Sequence, residues 1–364
     1  MFQPHDHAYM ARALEIAARG IYTTQPNPRV GCVIERNGVV VGEGFHRKAG
    51  GPHAEVLALG MAGERARGAT VYVTLEPCAH HGRTPPCADA LIAAGVARVV
   101  VAAEDPFDQV NGRGMARLRD AGIEVACGLM RAEARELNAG FFSRIERGRP
   151  FVRVKLAMSI DGRTALASGE SKWITGEAAR EDVQRWRARS SAILTGSGTV
   201  LADNPRLTAR LPGDREGVPP TRVVLDASLR TPADAHVLDG QAPTVMMHAA
   251  DADAGDARFA RVECIPVPAS GGHLDLTQVL GQLVARDCNE VHVEAGATLC
   301  GALFAQGLVD ELLLYIAPVL LGDGARPLMA LPALDTMAGR WQLGIVDHAM
   351  VGSDIRLRLR PVVR

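Results

Sequence analysis

Hydrophobic and polar positions recur with two different periods along the first 146 residues, and each period predicts one kind of element. Residues 5–19 carry apolar side chains at helical spacing, and Gly20 then offers a C-terminal cap. Two β-rich runs, 30–35 and 39–45, flank Asn37-Gly38, a pair that tolerates the positive φ of a tight hairpin turn. The remaining pattern predicts strands at 70–75, 98–102 and 123–126 and helices at 53–67, 87–94, 112–121 and 132–142. This alternation is typical of an α/β layered domain.

The second half repeats the alternation with different lengths. Its pattern predicts strands at 151–158, 192–195, 222–225, 244–248, 290–293 and 311–316, with helices near 177–188, 276–286 and 297–306. A charged segment with Gly and Pro, residues 144–150, separates the halves and predicts a boundary near residue 147. We therefore expect two α/β domains, 1–146 and 147–364, with exposed loops at 211–220 and 249–257.

Composition narrows the class of protein. The 364 residues, 47% of them hydrophobic, exceed the size at which a single core stops growing. The 40 basic and 41 acidic side chains form no like-charged block, which argues against a nucleic-acid-binding surface. The polar start and the absence of a long apolar run predict a cytoplasmic protein. Seven scattered cysteines favour metal binding or burial over a disulfide framework.

Three short motifs carry ligands that zinc prefers. His53-Ala54-Glu55 opens a predicted helix, Glu76-Pro77-Cys78 follows a strand, and Pro86-Cys87 opens another helix. A catalytic zinc site takes three protein ligands and keeps a fourth position open, which one imidazole and two thiolates satisfy. Glu55 is then free to move protons. On a regular helix Glu55 would point away from His53, but at a frayed first turn it can lean back.

The order of these motifs is that of the zinc nucleobase deaminases as a class, H-x-E followed by P-C-x-x-C. The chain departs from that order because eight residues, 79–86, separate Cys78 from Cys87 where the usual pattern has two. A purely structural zinc site is the alternative, and it would need a fourth protein ligand. His80 and His81 are the nearest candidates for that position.

The surrounding residues make the comparison more specific. His53-Ala54-Glu55, residues 74–78 and 80–87, Asn27-Pro28 and Val30-Gly31-Cys32 resemble the deaminase half of the bifunctional riboflavin-biosynthesis deaminase–reductases. Residues 155–165, 168–175 and 200–205 resemble the reductase half, so the likeness covers nearly the whole chain. It implies an N-terminal cytidine-deaminase-like three-layer α/β/α domain and a C-terminal dihydrofolate-reductase-like α/β domain.

For the first half the resemblance implies one zinc ion per chain, held by His53, Cys78 and Cys87, with Glu55 as the catalytic proton shuttle. His46 either lines the substrate pocket or is a solvated histidine at a strand end. The other five cysteines lie in or beside apolar runs, where a buried thiol is an ordinary core residue, and we assign them no role. They are Cys32, Cys127, Cys264, Cys288 and Cys300.

The second half has no G-x-G-x-x-G at a strand-to-helix turn, but two glycine-bearing turns, 195–199 and 294–298, could expose backbone N–H groups to a phosphate. The resemblance implies NADPH binding and assigns cofactor contacts. They are Ala157, Trp173, Thr199, Asp203, Ala227, Gly296, Ala297, Thr298, Leu299, Cys300, Gly301 and Ala302. Ala227 departs from the family, which more often has a hydroxyl there, so we expect backbone contact only.

The substrate contacts implied in the same way are Ser171, Arg187, Leu207, Arg210 and Glu294, to which we add Lys155. Arg187 and Arg210 suit a sugar phosphate because a guanidinium is a fixed bidentate charge, although solvated arginines on a helix face are the alternative. Trp173 either covers a flat ring or packs in the core. Lys155 either hydrogen-bonds the ribosyl group or is an edge-strand lysine.

The resemblance implies two reactions on a small phosphorylated pyrimidine. The first removes the 2-amino group of 2,5-diamino-6-ribosylamino-4(3H)-pyrimidinone 5′-phosphate, and the second uses NADPH to reduce the ribosyl group to a ribitylamino group. A tRNA or nucleotide deaminase with an unrelated appendage is one alternative, and a binding protein that has lost catalysis is another. The resemblance also implies a homo-oligomer, a dimer or tetramer, while a choice between NADPH and NADH does not follow from the residues.

Overall fold

The computed structural model describes residues 2–79, 86–213 and 216–362. It divides the chain into two compact units, Met1–Gly148 with Glu216–Val218, and Arg149–Arg215 with Pro219–Arg364. The short segment that joins the first unit is held there by a hydrogen bond from the Val218 N–H to the carbonyl of Tyr22, at 2.8 Å. In the described ranges, no helix has the length and hydrophobicity needed to cross a bilayer.

The first unit is a five-stranded sheet between two layers of helices. The sheet has the order β2-β1-β3-β4-β5, in which β1 is antiparallel to β2 and β3 and the remaining pairs are parallel. Its strands are β1 Gly31–Arg36, β2 Val39–Phe45, β3 Thr70–Val73, β4 Arg98–Val101 and β5 Glu124–Cys127. Its helices are α1 Pro4–Ala17, α2 Ala54–Ala62, α3 Cys87–Ala94, α4 Arg113–Asp120, α5 Arg131–Leu137 and α6 Ala139–Arg147.

Side-chain alternation along the strands builds one apolar layer on each face of this sheet. Cys32 and Ile34 face a layer that contains residues of α2, α3 and α4, whereas Val33 faces a layer with residues of α1 and α6. The three-layer α/β/α architecture expected for the first half is therefore correct. The Asn37-Gly38 turn is also as expected, with φ of 53° and 80°.

The second unit is built on a nine-stranded sheet. The strand order is β11-β10-β9-β8-β14-β6-β15-β18-β17, parallel from β11 to β15 and antiparallel at β18 and β17. Its strands are β6 Phe151–Ser159, β8 Ala192–Gly196, β9 Thr221–Leu225, β10 Thr244–Ala249, β11 Glu263–Val267, β14 Glu290–Val293, β15 Glu311–Ala317, β17 Leu343–Val351 and β18 Asp354–Pro361. Short strands β7 Arg163–Ala165, β12 Ala269–Ser270, β13 His273–Leu274 and β16 Arg326–Pro327 form two separate pairs. The helices are α7 Glu177–Ala188, α8 Ser197–Asp203, α9 Leu276–Val284 and α10 Ala297–Ala305.

The single helix predicted at 132–142 is wrong, because the structure has two helices, α5 and α6, and the second extends to Arg147. Asn138 interrupts the predicted helix, because the side chain of Asn138 accepts a hydrogen bond from the Arg29 N–H at 2.8 Å and donates one to the Arg29 carbonyl at 2.9 Å. A second helix, α6, then continues to Arg147 and ends at Gly148 with a φ of 63°. The charged segment predicted as a linker is thus helical over most of its length.

The sequence pattern missed the C-terminal hairpin of β17 and β18. Residues 355–360 alternate strictly between aliphatic side chains and arginines, which is the period of a strand. The arginines of β18 are not on a solvent face. Arg356 pairs with Asp182 at 3.0 Å, and Arg358 pairs with the fully buried Glu311 at 2.7 Å. The charged face of β18 therefore packs against buried carboxylates and does not face water.

Candidate active sites

The three predicted metal ligands lie together in the first unit. The ligand atoms of His53, Cys78 and Cys87 all lie within 4.8 Å of one another, and no other such group of three exists among the described residues. His53 Nδ1 lies 3.1 Å from Cys87 Sγ and 3.6 Å from Cys78 Sγ. One imidazole and two thiols at this spacing fit a zinc ion, and the donor set leaves one position of a tetrahedron open.

The ends of two helices and one strand bring these ligands together. His53 precedes α2 in extended conformation, with a ψ of 164°, so its side chain is not bound by helical geometry. Cys87 is the first residue of α3, and its N–H donates to Cys78 Sγ at 3.3 Å. Cys78 follows β3 in the chain. The two sulfurs are therefore adjacent although eight residues separate Cys78 from Cys87 in the chain.

Glu55 lies in the first turn of α2 and is 3% exposed. Burial raises the pKa of Glu55 to about 7, which a hydrogen bond with Cys87 and the charge of His53 partly oppose. His53 is the N-cap of α2 and stands outside the helix, so its charge acts on Glu55 while α2 stays regular from Ala54. A carboxyl with a pKa near neutrality can both accept and release a proton at working pH.

The two sulfurs have different proton affinities. The hydrogen bond with Cys87, together with that from His53, lowers the pKa of Cys78 to about 4. The pKa of Cys87 is raised by the same interaction with Cys78 and by burial. A cation bound here would hold both sulfurs as thiolates.

Glu76, two residues before Cys78, fastens the segment that carries this ligand. Its buried carboxylate accepts N–H groups of Gly112, Gly114 and Met115 at 2.9–3.2 Å, at the start of α4, and that of Asp105 at 3.3 Å. A carboxylate at a helix N-terminus is favoured by both the free N–H groups and the helix dipole. In the sequence, only the position of Glu76 just before Pro77-Cys78 could have indicated this structural role.

His46 is 3% exposed, so the alternative of a solvated histidine is wrong. Its ring lies edge-on to that of His53, with centroids 5.4 Å apart, and its Nε2 lies 3.0 Å from Asn27 Nδ2. His80 and His81 lie outside the described residues. Of the cysteines assigned no role, Cys32, Cys288 and Cys300 are buried, and Cys127 and Cys264 are half-buried.

A second group of predicted residues meets on the face of the nine-stranded sheet beneath α7. Arg187 of α7 binds Glu294, just after β14, with Nε 2.5 Å and Nη2 2.8 Å from the two carboxylate oxygens. Burial lowers the pKa of Lys155 on β6, with Glu294 opposing and Arg187 adding to the effect. The alternative of an edge-strand lysine is wrong, because β6 lies between β14 and β15 in the centre of the sheet.

The segment after α8 joins this group through Arg187. Arg187 Nη1 donates to the Thr208 carbonyl at 3.1 Å, and Arg210 Nη1 donates to Thr208 Oγ1 at 3.0 Å. The Leu207 side chain is 2% exposed and packs in an apolar cluster, so only its backbone can face a ligand. Arg187 is not a solvated helix-face arginine, since its side chain is 12% exposed.

The predicted cofactor contacts at residues 296–302 form two groups, one exposed and one facing the core. Gly296 is the N-cap of α10 with no side-chain cap, and Ala297, Thr298 and Leu299 follow it in partly or fully exposed positions. Cys300 and Gly301 face the core: Cys300 is fully buried, and a Cβ on Gly301 would lie 2.2 Å from the Ala330 carbonyl oxygen. Ala302 is half-buried. An uncapped first turn fits the diphosphate of a nicotinamide cofactor, whereas the second group can offer no side chain to it.

The other predicted contacts lie in the same unit. Thr199 and Asp203 are on α8, which follows β8 directly, and Ala227 follows β9, with its carbonyl accepting the Ala249 N–H at 3.0 Å. Trp173 is 70% exposed and therefore not a core residue, and the Arg180 guanidinium lies 4.6 Å from its ring centroid. Two half-buried positions complete the set, Ser171 and Ala157.

Both halves of the chain match known families. Residues 3–103 match the cytidine and deoxycytidylate deaminase zinc-binding region, and residues 150–357 match the RibD C-terminal domain. The riboflavin biosynthesis protein RibD of Escherichia coli strain K12 is 52% identical, over 97% of this chain and 99% of that protein. The RibD of Haemophilus influenzae is 49% identical, over 99% and 98%.

Solved structures give the same result at the level of the fold. Acinetobacter baumannii RibD, form 1, superimposes with a TM-score of 0.92 at 46% identity, covering 98% of this chain and 99% of that chain. A diaminohydroxyphosphoribosylaminopyrimidine deaminase/5-amino-6-(5-phosphoribosylamino)uracil reductase of Thermotoga maritima gives a TM-score of 0.85 at 33% identity, with the same coverage. The likeness therefore spans both units.

Proposed function

The chain belongs to the RibD family and is a bifunctional deaminase and reductase of riboflavin biosynthesis, and from that premise we propose how its residues divide the work. The first reaction is the hydrolytic deamination of 2,5-diamino-6-ribosylamino-4(3H)-pyrimidinone 5′-phosphate. The second is the NADPH-dependent reduction of the ribosyl group to give 5-amino-6-(5-phosphoribitylamino)uracil. We assign the first to residues 1–146 and the second to 147–364. The observation that carries the assignment is the group of His53, Cys78 and Cys87 beside a buried Glu55.

In the deaminase, His53, Cys78 and Cys87 would hold the zinc ion. When bound, zinc makes water acidic enough to act as a nucleophile near neutral pH. Water adds to the ring carbon that bears the 2-amino group, and the carbon–nitrogen bond then breaks to release ammonia. Glu55 takes a proton from the attacking water and passes it to the leaving nitrogen, for which its pKa of about 7 is suited.

In the reductase, the uncapped turn at Gly296–Thr298 would hold the cofactor diphosphate, and Trp173 would cover a flat ring. NADPH supplies the hydride when bound. Reduction at C1′ requires the ribosyl ring to open, and we assign to Lys155 the hydrogen bond to the sugar oxygen that is released. Because Glu294 already compensates the charge of Arg187, Arg210 is the better anchor for the substrate phosphate.

The two alternative functions fit the findings less well. An appendage unrelated to the deaminase is excluded, because the relatives match over both halves of the chain. A protein that has lost catalysis would have no reason to keep a buried carboxyl with a raised pKa beside two thiols and an imidazole.

We also propose that the protein is a cytoplasmic homo-oligomer, a dimer or tetramer. Support comes from the outer strand of the nine-stranded sheet, β17, on which Ile345 and Met350 are 68% and 66% exposed. An unpaired strand edge with apolar side chains is a common surface for pairing with a second chain. Sedimentation equilibrium measures the mass directly, and a monomer at micromolar concentration would reject this proposal.

The substitution Glu55→Gln tests the division of labour. We expect ammonia release from the diaminopyrimidine phosphate to fall by about 100-fold or more, because general acid–base catalysis supplies that much. NADPH oxidation on the pre-deaminated substrate should be unchanged, and zinc content measured by elemental analysis should stay at one per chain.

Three results would contradict the proposal. Loss of both activities together would show that the two reactions do not use separate residues. Unchanged deamination would remove Glu55 from the mechanism. Turnover of free nucleotides or tRNA by the wild-type protein, with none of the diaminopyrimidine phosphate, would reject the function itself.

A further inference from the structure

His292 is a fully buried histidine beneath α7 that none of the reactions above uses. It lies on β14 two residues before Glu294, so both side chains are on the same face of the sheet. His292 Nε2 lies 3.2 Å from Glu294 Oε1. Both ring nitrogens are buried, and neither has a hydrogen-bond partner among the residues that the structure describes, so Nε2 and the Glu294 carboxylate form a close polar contact. The fully buried Arg153 is the neighbour of His292 on β6.

Hydrogen bonds connect Glu294 to the other predicted substrate contacts. The oxygen that faces His292, Oε1, is also the one that accepts from Arg187 Nε, and Oε2 accepts from Arg187 Nη2. Arg187 in turn holds the Thr208 carbonyl, and Thr208 Oγ1 holds Arg210. An unbroken series of hydrogen bonds thus leads from Glu294 to Arg210.

His292 lies on the charged face of β14, two residues after the buried Glu290 and beside the buried Arg153 of β6. Val291 and Val293, on the opposite face of the same strand, are both fully buried in the apolar core. Burial together with the charges of Arg153 and Arg187 lowers the pKa of His292, against the opposing effect of Glu294. A neutral imidazole can place a ring N–H beside the Glu294 carboxylate without competing with Arg187 for its charge. Burying an imidazole without a hydrogen bond costs free energy, which fits a role for His292 in holding that carboxylate in place.

We propose that His292 is a positioning residue of the reductase, which fixes the Glu294 carboxylate and, through Arg187 and Thr208, the Arg210 side chain in the orientation that binds substrate. This inference rests on the proposed function, because that function is what makes Glu294 and Arg210 substrate contacts. Because His292 is fully buried, it would act through Glu294 and not by direct contact with a ligand.

The test compares His292→Leu with His292→Gln in the full-length protein. Steady-state NADPH oxidation on the pre-deaminated substrate gives KM and kcat separately. For His292→Leu we expect KM to rise by about 10- to 100-fold, with kcat changed by less than about 3-fold, because the polar contact that holds the charged Glu294 is lost. His292→Gln keeps an N–H donor and should recover KM to within about 3-fold of the wild type.

Val291→Ala is the matched control for simple destabilisation of β14. It removes buried methyl groups on the opposite face, so the melting temperature should fall while KM is unchanged. Ammonia release by the same samples should be unaffected in every variant. The inference is overturned if His292→Leu leaves KM unchanged, or if Val291→Ala raises KM as much. A wild-type protein that does not oxidise NADPH on this substrate would instead reject the proposed function.

Discussion

Arg187 and Arg210 carry the same guanidinium group, but their surroundings give them different uses. Arg187 is held by both oxygens of Glu294, so its charge is compensated. Arg210 remains largely exposed, and partial desolvation together with the nearby charges of Arg187 and Arg206 lowers the pKa of Arg210. It has no carboxylate within salt-bridge distance among the described residues. Positive charge is therefore in excess beside Arg210, as a phosphate site requires.

Replacing Arg210 by Met should raise the KM for the phosphorylated substrate of the reductase. We expect a rise of about 10- to 100-fold, which is the usual value of one charge-assisted hydrogen bond to a phosphate. Steady-state NADPH oxidation measures it. Arg185→Met is the control, since Arg185 is on the exposed side of α7 and only 3.8 Å from Asp182. For a substrate without its phosphate, the wild type and Arg210→Met should have the same KM. Equal KM values of the two proteins for the phosphorylated substrate would contradict this assignment of Arg210.

At the scale of elements, the start of α4 fastens the segment that carries Cys78. Glu76 accepts the first N–H groups of the helix, and Gly114 lies so close to this segment that a Cβ would be 1.8 Å from the Pro77 carbonyl oxygen. Contact at this distance is possible only without a side chain. The position of the zinc ligand thus depends on a glycine that is far from it in sequence.

The substitution Gly114→Ala should destabilise the first unit by about 2–3 kcal/mol, because the backbone must move to admit the methyl group. The zinc content should fall as well, because the segment with Cys78 is displaced. Scanning calorimetry measures the loss of stability, and elemental analysis measures the zinc content. Gly60→Ala is the control: Gly60 lies on α2 with open space around its Cβ position, so the change should stabilise the unit by about 0.5–1 kcal/mol. A similar effect of both changes would show that the close approach is unimportant.

A second feature at this scale is a buried layer of charges between β6, β15 and β18. Glu311 is fully buried and accepts from Arg153 and Arg358, each at 2.7 Å. Burial alone would raise the pKa of Glu311, but Arg153 and Arg358 outweigh it and lower the pKa to about 2. Because the folded pKa lies below the ordinary 4.5, this group stabilises the fold above pH 4.5 and loses that effect as the pH falls towards 2.

Glu311→Gln should therefore lower the free energy of unfolding at pH 7 by about 3–5 kcal/mol, since Arg153 is left without one of its buried partners. The difference from wild type should narrow below pH 4.5. Urea unfolding followed by tryptophan fluorescence reports this unit alone, because Trp173, Trp186 and Trp341 all belong to it. If the difference were as large at pH 3 as at pH 7, protonation of Glu311 would not be its source.

At the scale of the whole molecule, each unit has its own apolar core and its own group of functional side chains. Removing the metal should therefore affect one reaction only. We expect 1,10-phenanthroline to abolish ammonia release and leave NADPH oxidation on the pre-deaminated substrate unchanged, because no predicted ligand lies in the second unit. Excess zinc should restore the first reaction. Parallel loss of both activities on chelation would contradict this independence.

Local sequence determined much of this protein. Helix and strand periods placed α3, α7, β2 and β14 at the bounds that the structure has, and the residue types of His53, Glu55, Cys78 and Cys87 indicated a zinc deaminase, because ligand chemistry is a property of the side chains themselves.

Tertiary structure decided what depends on residues distant in the chain. The break at Asn138 requires Arg29, the inward-facing arginines of β18 require Glu311 and Asp182, and the orientation of Arg187 requires Glu294. A periodic pattern shows which positions are polar, but only the folded chain shows whether a polar side chain meets water or a partner of opposite charge, and that difference in surroundings separates a structural arginine from one free to bind phosphate.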